Sequence, residues 1–210
     1  MSKDKQCFSS EEFDVIREIV NISMGSAGSL LAEYIGAFVT LSVPNVRMID
    51  QEASSITLNK LGVEYDAINI TRQSFSGALS GEAIFIIDNS SNQEMSSILG
   101  YKACEDNNKN INTDVLLEIS QAIIGTCIRD IGQGFSLDVY LSQPTIIGTE
   151  QPPSKLYDLV FGQHNTNWHD LLLLDIYFSI ETNKIKCHAL IFITEKSLQK
   201  IHAAVNQLML

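Results

Sequence analysis

The sequence predicts an α+β fold made of a duplicated unit: a pseudo-twofold pair of repeats, a six-stranded, largely antiparallel sheet covered by helices, and two long motif-bearing helices. Three observations predict it. Asp14, Glu18, Asn21 and, after 22 intervening residues, Pro44 return 100 positions later as Asp114, Glu118, Gln121 and Pro144. A pattern that recurs at a fixed offset marks a repeated structural unit. In both copies a long helical pattern leads into a strand that ends at the proline (Leu41-Ser42-Val43-Pro44 and Leu141-Ser142-Gln143-Pro144). Each copy then closes on two strand-like runs and a further helix. Three strands alone make a thin sheet, and two units side by side make one of six.

Each element has a local cause. Ser9 and Glu12 form a capping-box pattern, and the first helix runs from there to about Ile35, stopped by Gly36. Phe38 to Val43 reads as a strand that Pro44 ends, because proline cannot donate to a ladder. Val46 to Ala67 carries no clean period; helix and irregular chain both stay open there. Ala67–Ser74 and Gly77–Ile87 read as strands joined by a turn near Phe75-Ser76, followed by a helix over Asp88 to Leu99 that Gly100 stops. Tyr101–Asn112 is polar and aperiodic, the connection between repeats of about 9–100 and 113–210. The second long helix spans about Thr113 to Gly132, and Phe135 to Ser142 is its strand. Thr149–Asp170, with Pro152-Pro153 and Trp168, reads as irregular. Leu171–Ile180 and Lys184–Thr194 are strands around Glu181-Thr182-Asn183, and Glu195–Met209 is a closing helix. The triplets Ile84-Phe85-Ile86 and Ile191-Phe192-Ile193 align the last strands of the two copies at an offset of 107.

Helical residues three and four apart share a face. Phe13, Ile16, Val20, Met24, Ala27, Leu31 and Tyr34 therefore form an apolar stripe, and Asp14, Glu18, Asn21 and Gly25 form another that points away from it. The second copy repeats this with Asp114, Glu118, Gln121 and Gly125 against Leu116, Ile119, Ile123, Ile124, Cys127 and Ile131. A carboxylate and an amide thus stand one turn apart on a face that packing does not need. Gly25 and Gly125 on the same stripe let another backbone come close, at a cost in helix propensity. One exposed Glu-x-x-Asn is ordinary solvated surface; its return at one offset, with the glycine and the strand-plus-proline ending, sets this one apart.

At these residues the sequence resembles the CheC/CheX/FliY family of chemotaxis phosphatases, whose pattern is Asp or Ser, three residues, Glu, two residues, Asn, 22 residues, Pro. Asp14, Glu18, Asn21 and Pro44 match it without a gap, and the second copy matches except that Gln121 replaces Asn. The run Asn21-Ile22-Ser23-Met24-Gly25-Ser26-Ala27-Gly28 is similar to the family's Asn-Ile-x-x-Gly-x-Ala. The resemblance spans nearly the whole chain, and the length and two-copy layout fit CheC better than single-site CheX. It implies a phosphatase acting on the aspartyl phosphate of a phosphorylated CheY-like response regulator. The partner would bring the phosphate, its Mg²⁺ and a Lys, and this chain no cofactor. On that likeness Asn21 positions the attacking water, Glu18 binds the partner's Lys, and Asp14 supports docking or the helix N-terminal field. Glu118 and Gln121 take the same roles in the second copy, with Asp114, Gly25, Gly125, Pro44 and Pro144 supporting. Gln121 is one methylene longer, a displacement of about one ångström that can cost about 10²-fold. An unrelated class of chemotaxis phosphatase does use Gln, so an active and a vestigial second site both stay open. The flagellar switch protein FliM has a similar middle-domain fold without phosphatase activity. The rival is therefore a non-catalytic binding module for a response regulator, a flagellar switch or a CheD-like receptor deamidase, itself a candidate partner in either case.

Composition narrows the field. The 210 residues and 45% apolar content fit a globular protein with a substantial core. The net charge of −11 argues against nucleic acid and anionic membranes. The polar start lacks a signal peptide's apolar stretch, and Leu171–Leu174 is cut by Asp175, so a cytoplasmic chain with no membrane insertion is expected. Cys7, Cys104, Cys127 and Cys187 lack Cys-x-x-Cys spacing and read as free thiols. His164, His169, His188 and His202 show no ligand spacing, so no metal site is expected. The sequence has no P-loop and no Ser-His-Asp set. A small-molecule enzyme would need a concave apolar pocket.

Overall fold

The first helical pattern becomes helix α1 (Ser10–Ile35) in a computed structural model that describes residues 8–62, 65–100, 108–162, 171–180 and 185–210. The capping box forms: Ser9 Oγ accepts from the Glu12 amide at 3.2 Å, and the Glu12 carboxylate accepts from the Ser9 amide at 2.7 Å. Gly36 ends the helix at φ 65°, in the left-handed region where glycine has no Cβ penalty. The chain continues through β1 (Val39–Leu41), β2 (Asn45–Ile49), α2 (Gln51–Gly62), β3 (Ile68–Gly77), β4 (Gly81–Asp88) and α3 (Asn89–Ile98), which Asp88 caps. The series recurs as α4 (Asn108–Gly134), β5 (Val139–Leu141), β6 (Thr145–Gln151), a 3₁₀ turn at Pro153–Lys155, α5 (Leu156–Phe161), β7 (Leu171–Ile180), β8 (Ile185–Ile193) and α6 (Glu195–Leu208).

All strand pairings are antiparallel, in the order β1-β7-β8-β4-β3-β5, with β2 also on β7 and β6 also on β3. The short strands of each half therefore pair with the long hairpin of the other. Both prolines sit at the same irregularity. Leu41 faces Phe178 and Asn45 faces Asp175, so three residues oppose two. Leu141 faces Phe75 and Thr145 faces Arg72, which gives the same surplus residue. This is a β-bulge. A serine closes it both times: Ser42 donates its amide to Tyr177 O and accepts the Tyr177 amide on Oγ, and Ser142 does the same with Ser74.

Helices cover both faces of the sheet. Ile16, Val20, Met24, Leu31, Ile119, Ile123 and Ile128 of α1 and α4 join Leu198 and Ile201 of α6 over one face. Leu58 of α2 with Leu156 and Val160 of α5 cover the other. Strands buried on both faces read as unbroken apolar runs, as in Ile84–Ile87 and Leu171–Leu174. Buried Arg72 reaches across to α5 and donates to Leu159 O at 3.0 Å and Val160 O at 2.6 Å; burial lowers its pKa from the ordinary arginine value.

The expected six strands form the main path of the sheet, and β2 and β6 extend it to eight. Both lie just past a proline and bond along one side only, so they lack the apolar density of a central strand. Residues 51–62, left open, are α2, and the stretch expected to be irregular, Thr149–Asp170, holds the end of β6, a 3₁₀ turn and α5. The turn of the first hairpin lies at Ala78–Ser80 rather than Phe75-Ser76, because Phe75 is core and the amides of Ala78 and Leu79 both bond Asp138 O. Helix α4 begins at Asn108, so the end of the expected connection is helical. The offset of 107 fails by one residue: Ile84 pairs with Leu190 and shares its face, whereas Ile191 lies in the opposite core. A one-residue slip reverses every side chain. Tyr34 is exposed, and Ile35 ends the apolar stripe instead. The tripeptide 181–183, Trp168 and residues 101–107 lie outside the described residues.

A Cβ added to Gly81 would stand 2.0 Å from Phe192 O and 2.6 Å from Phe75 Cζ. Gly81→Ala is expected to cost about 3 kcal/mol in urea denaturation, since the nearer obstacle is backbone. Burial pushes the thiols of Cys127 and Cys187 up to about 12, with Asp130 adding to the rise at Cys127. Both should resist iodoacetamide at neutral pH in the folded protein and react once urea unfolds it, read by mass spectrometry of the modified peptides.

Candidate functional site

Burying Ile16, Val20, Met24, Ala27 and Leu31 fixes the rotation of α1 about its axis, and that turns Asp14, Glu18 and Asn21 into solvent. Asp14 accepts a hydrogen bond from Arg17 at 2.8 Å, an exposed pair of little energetic weight. Glu18 and Asn21 make no side-chain hydrogen bond among the described residues. Ile22, beside Asn21, is 61% exposed, and Val43, beside Pro44, is 85% exposed. Pro44 itself is buried at the bulge. The two glycines of this stretch have different causes. A Cβ on Gly28 would strike Leu41 at 2.8 Å, so Gly28 seats β1 on the helix. A Cβ on Gly25 would meet nothing within 4 Å. Among the described residues no contact requires Gly25.

On α4 the same rotation exposes Asp114 and Glu118, but Gln121 is half-buried and engaged. Its Oε1 accepts from Gln73 Nε2 at 3.0 Å, and its own Nε2 lies 3.1 Å from where a Gly125 Cβ would be. The Arg129 guanidinium nitrogens stand 3.7 and 3.9 Å from that same point. Gln73 is 1% exposed and also donates to Ser142 O at 2.7 Å, just before half-buried Pro144. One residue before Gln121 on α4, buried Ser120 accepts from Thr71 at 2.7 Å. The bulge register makes Leu174 and Ile176 the counterparts of Thr71 and Gln73, so α1 rests on an apolar surface where α4 rests on a polar one. The motif did not point to Gln73. The available signal was a run of polar residues, Thr71-Arg72-Gln73, in a strand whose residues from Ile68 to Gln73 are all buried.

Among the described residues no group of three or more His, Cys, Asp and Glu could hold a metal ion. His202 lies against Glu12 where α6 meets the start of α1, and His188 stands 3.5 Å from Asp175 on the neighbouring strand; His164 and His169 lie outside the described residues. A cavity of about 210 Å³ at the start of α3 and α4 is lined by Asn69, Asn89, Asn92, Asn112, Thr149 and Glu150 among others, a polar wall unlike that of a small-molecule site. No described helix is long and apolar enough to cross a membrane.

Because Gly25 is open and mid-helix, Gly25→Ala should raise stability by about 0.5–1 kcal/mol. Gly125→Ala should gain less, since Gln121 must move aside. Chemical denaturation of the two variants checks the contrast.

No protein-family model and no curated protein sequence matches the chain. Solved structures do match in shape. FliY from Thermotoga maritima superimposes with a TM-score of 0.63 at 17% identity, over 96% of this chain and 99% of that one. The FliM middle domain from H. pylori gives 0.55 at 14% identity, over 94% and 99%. A chain of the CheX-CheY-BeF3-Mg²⁺ complex from Borrelia burgdorferi gives 0.54 at 14% identity, over 85% and 99%. The chain has the CheC/CheX/FliY-type fold, which it shares with the FliM middle domain.

Proposed function

We propose that this chain is a phosphatase for the aspartyl phosphate of a CheY-like response regulator, working from the exposed face of α1. One observation carries the proposal: Glu18 and Asn21 stand exposed one turn apart, free of any packing duty, above a Gly25 that leaves room for an approaching backbone. An exposed acid–amide pair makes chemical sense when the partner supplies the rest of the site. The solved complex of CheX with CheY supports a partner of that class for a chain of this fold.

In this reading Glu18 pairs with a Lys of the receiver domain and fixes the pose. Asn21 enters beside the phosphoryl group and holds a water in line with the scissile bond. The water oxygen bonds to phosphorus as the bond from phosphorus to the aspartyl oxygen breaks. The carboxylate leaves with its electron pair, and the water's proton passes to the released phosphate. Mg²⁺ bound by the partner balances charge there; this chain supplies position, which is most of what phosphoryl transfer asks of a protein. Asp14 adds negative charge toward the start of the helix. Glu118 and Gln121 form the second copy of the site, with Asp114, Gly125 and Pro144 around them. The protein would act in the cytoplasm, where receiver domains are phosphorylated, and a CheD-like deamidase is a further candidate partner.

The likeness to the FliM middle domain favours a second reading, a non-catalytic module that binds a response regulator or a flagellar switch. Incubation with a phosphorylated receiver domain separates the two. Accelerated release of phosphate supports the enzyme, and stoichiometric binding without release supports the module. Asn21→Ala is expected to lower first-site turnover by about 10²-fold with the fold intact. Glu18→Ala should chiefly raise KM. An unchanged rate in the Asn21→Ala, Gln121→Ala double variant would defeat the assignment.

A further inference from the structure

We infer that Gln73 is a positioning residue that holds the Gln121 amide down across Gly125 and so closes the second site. The inference rests on the catalytic reading of the motif and concerns which copy is available for it. The orientation of each amide follows from its neighbours. Ser142 O only accepts, so the side of Gln73 that meets it at 2.7 Å is Nε2. The same Nε2 faces Gln121 at 3.0 Å, so Gln121 must turn its oxygen inward. Its Nε2 then falls over Gly125, 3.1 Å from the Cβ position, and covers the spot left clear at Gly25. Gln73 Oε1 is left buried with no hydrogen-bond partner among the described residues. An unpaired buried oxygen is destabilising, so packing alone favours an apolar residue here, as Ile176 provides under α1.

For Gln121 to reach outward it must give up the bond to Gln73. Losing one buried hydrogen bond corresponds to about tenfold in the population of the free arm. Gln73 thereby separates the two sites independently of the added methylene of Gln121, and it does so from a strand that carries none of the motif.

The test begins on the full chain without any partner. Side-chain amide ¹⁵N relaxation should find Gln121 rigid and Asn21 mobile, and Gln73→Leu should make Gln121 as mobile as Asn21. Where Gln73→Leu does not fold, Gln73→Met removes the same donor in an unbranched chain. Equal mobility of Gln121 and Asn21 in the unaltered protein, or a Gln121 that stays rigid in the variant, overturns the hold. A receiver domain phosphorylated with acetyl phosphate then reads its consequence. In an Asn21→Ala background, Gln73→Leu should raise turnover about tenfold, and adding Gln121→Ala should remove the gain. A Gln121 that becomes mobile with no gain overturns the claim that the hold closes the site. If the unaltered protein itself shows no turnover, the phosphatase reading fails, while the relaxation comparison still decides whether Gln73 holds Gln121.

Discussion

The rotation of α1 and α4 about their own axes is the constraint on which the rest depends. Each helix must bury one apolar stripe against the sheet, and five residues of α1 do so almost completely. A rigid helix has no freedom left after that. The direction of every other side chain follows, including the carboxylate and amide that face solvent. The candidate site is geometry left over from packing: burial of the apolar stripe sets where Glu18 and Asn21 point. The capping box at Ser9 and the left-handed Gly36 add fixed ends, so the stripe is held in length as well as in rotation.

The sheet supplies the second half of the constraint. A bulge follows β1 and another follows β5, each closed by a serine that trades two hydrogen bonds with the neighbouring strand. The proline of the motif belongs to this device. It cannot donate to a ladder, and the surplus residue means that it need not. In the second copy the bulge carries the carbonyl of Ser142 to Gln73 and thereby to Gln121. Motif residues far apart in sequence thus meet through a strand that the motif omits.

What was legible in the sequence was whatever depends on local period. Helices α1, α3, α4 and α6, the long hairpin strands β7 and β8, the capping box and the outward stripe each follow from residues within a turn or two of each other. What was hidden depends on register between strands. The two Ile-Phe-Ile triplets look equivalent and lie on opposite faces, because identity of letters says nothing about which neighbour a strand bonds. The strands β2 and β6 are visible only once β7 and β3 are there to pair with them. Gly25 and Gly125 read alike in sequence, yet one is open and the other lies under an amide. Gln73 could be flagged as polar in a strand buried on both faces, but its partner on α4 could not be named.

The strand exchange between the halves explains why. Helix α4 belongs to the second half of the chain, and Gln73 beneath Gln121 lies on β3, 48 positions earlier in the first half. Each motif helix is seated on the hairpin of the other half, so a substitution in one half alters the surroundings of the motif helix in the other. The surroundings of the two amides can thus differ without any change in either motif: an apolar Ile176 lies under one helix, and a polar Gln73 under the other gives its amide something to hold. Gln121, at the position where α1 carries Asn21, fits the same logic, since the longer arm reaches a buried donor. Arm length and the residue beneath are therefore one coupled feature, and the motif read alone records only half of it.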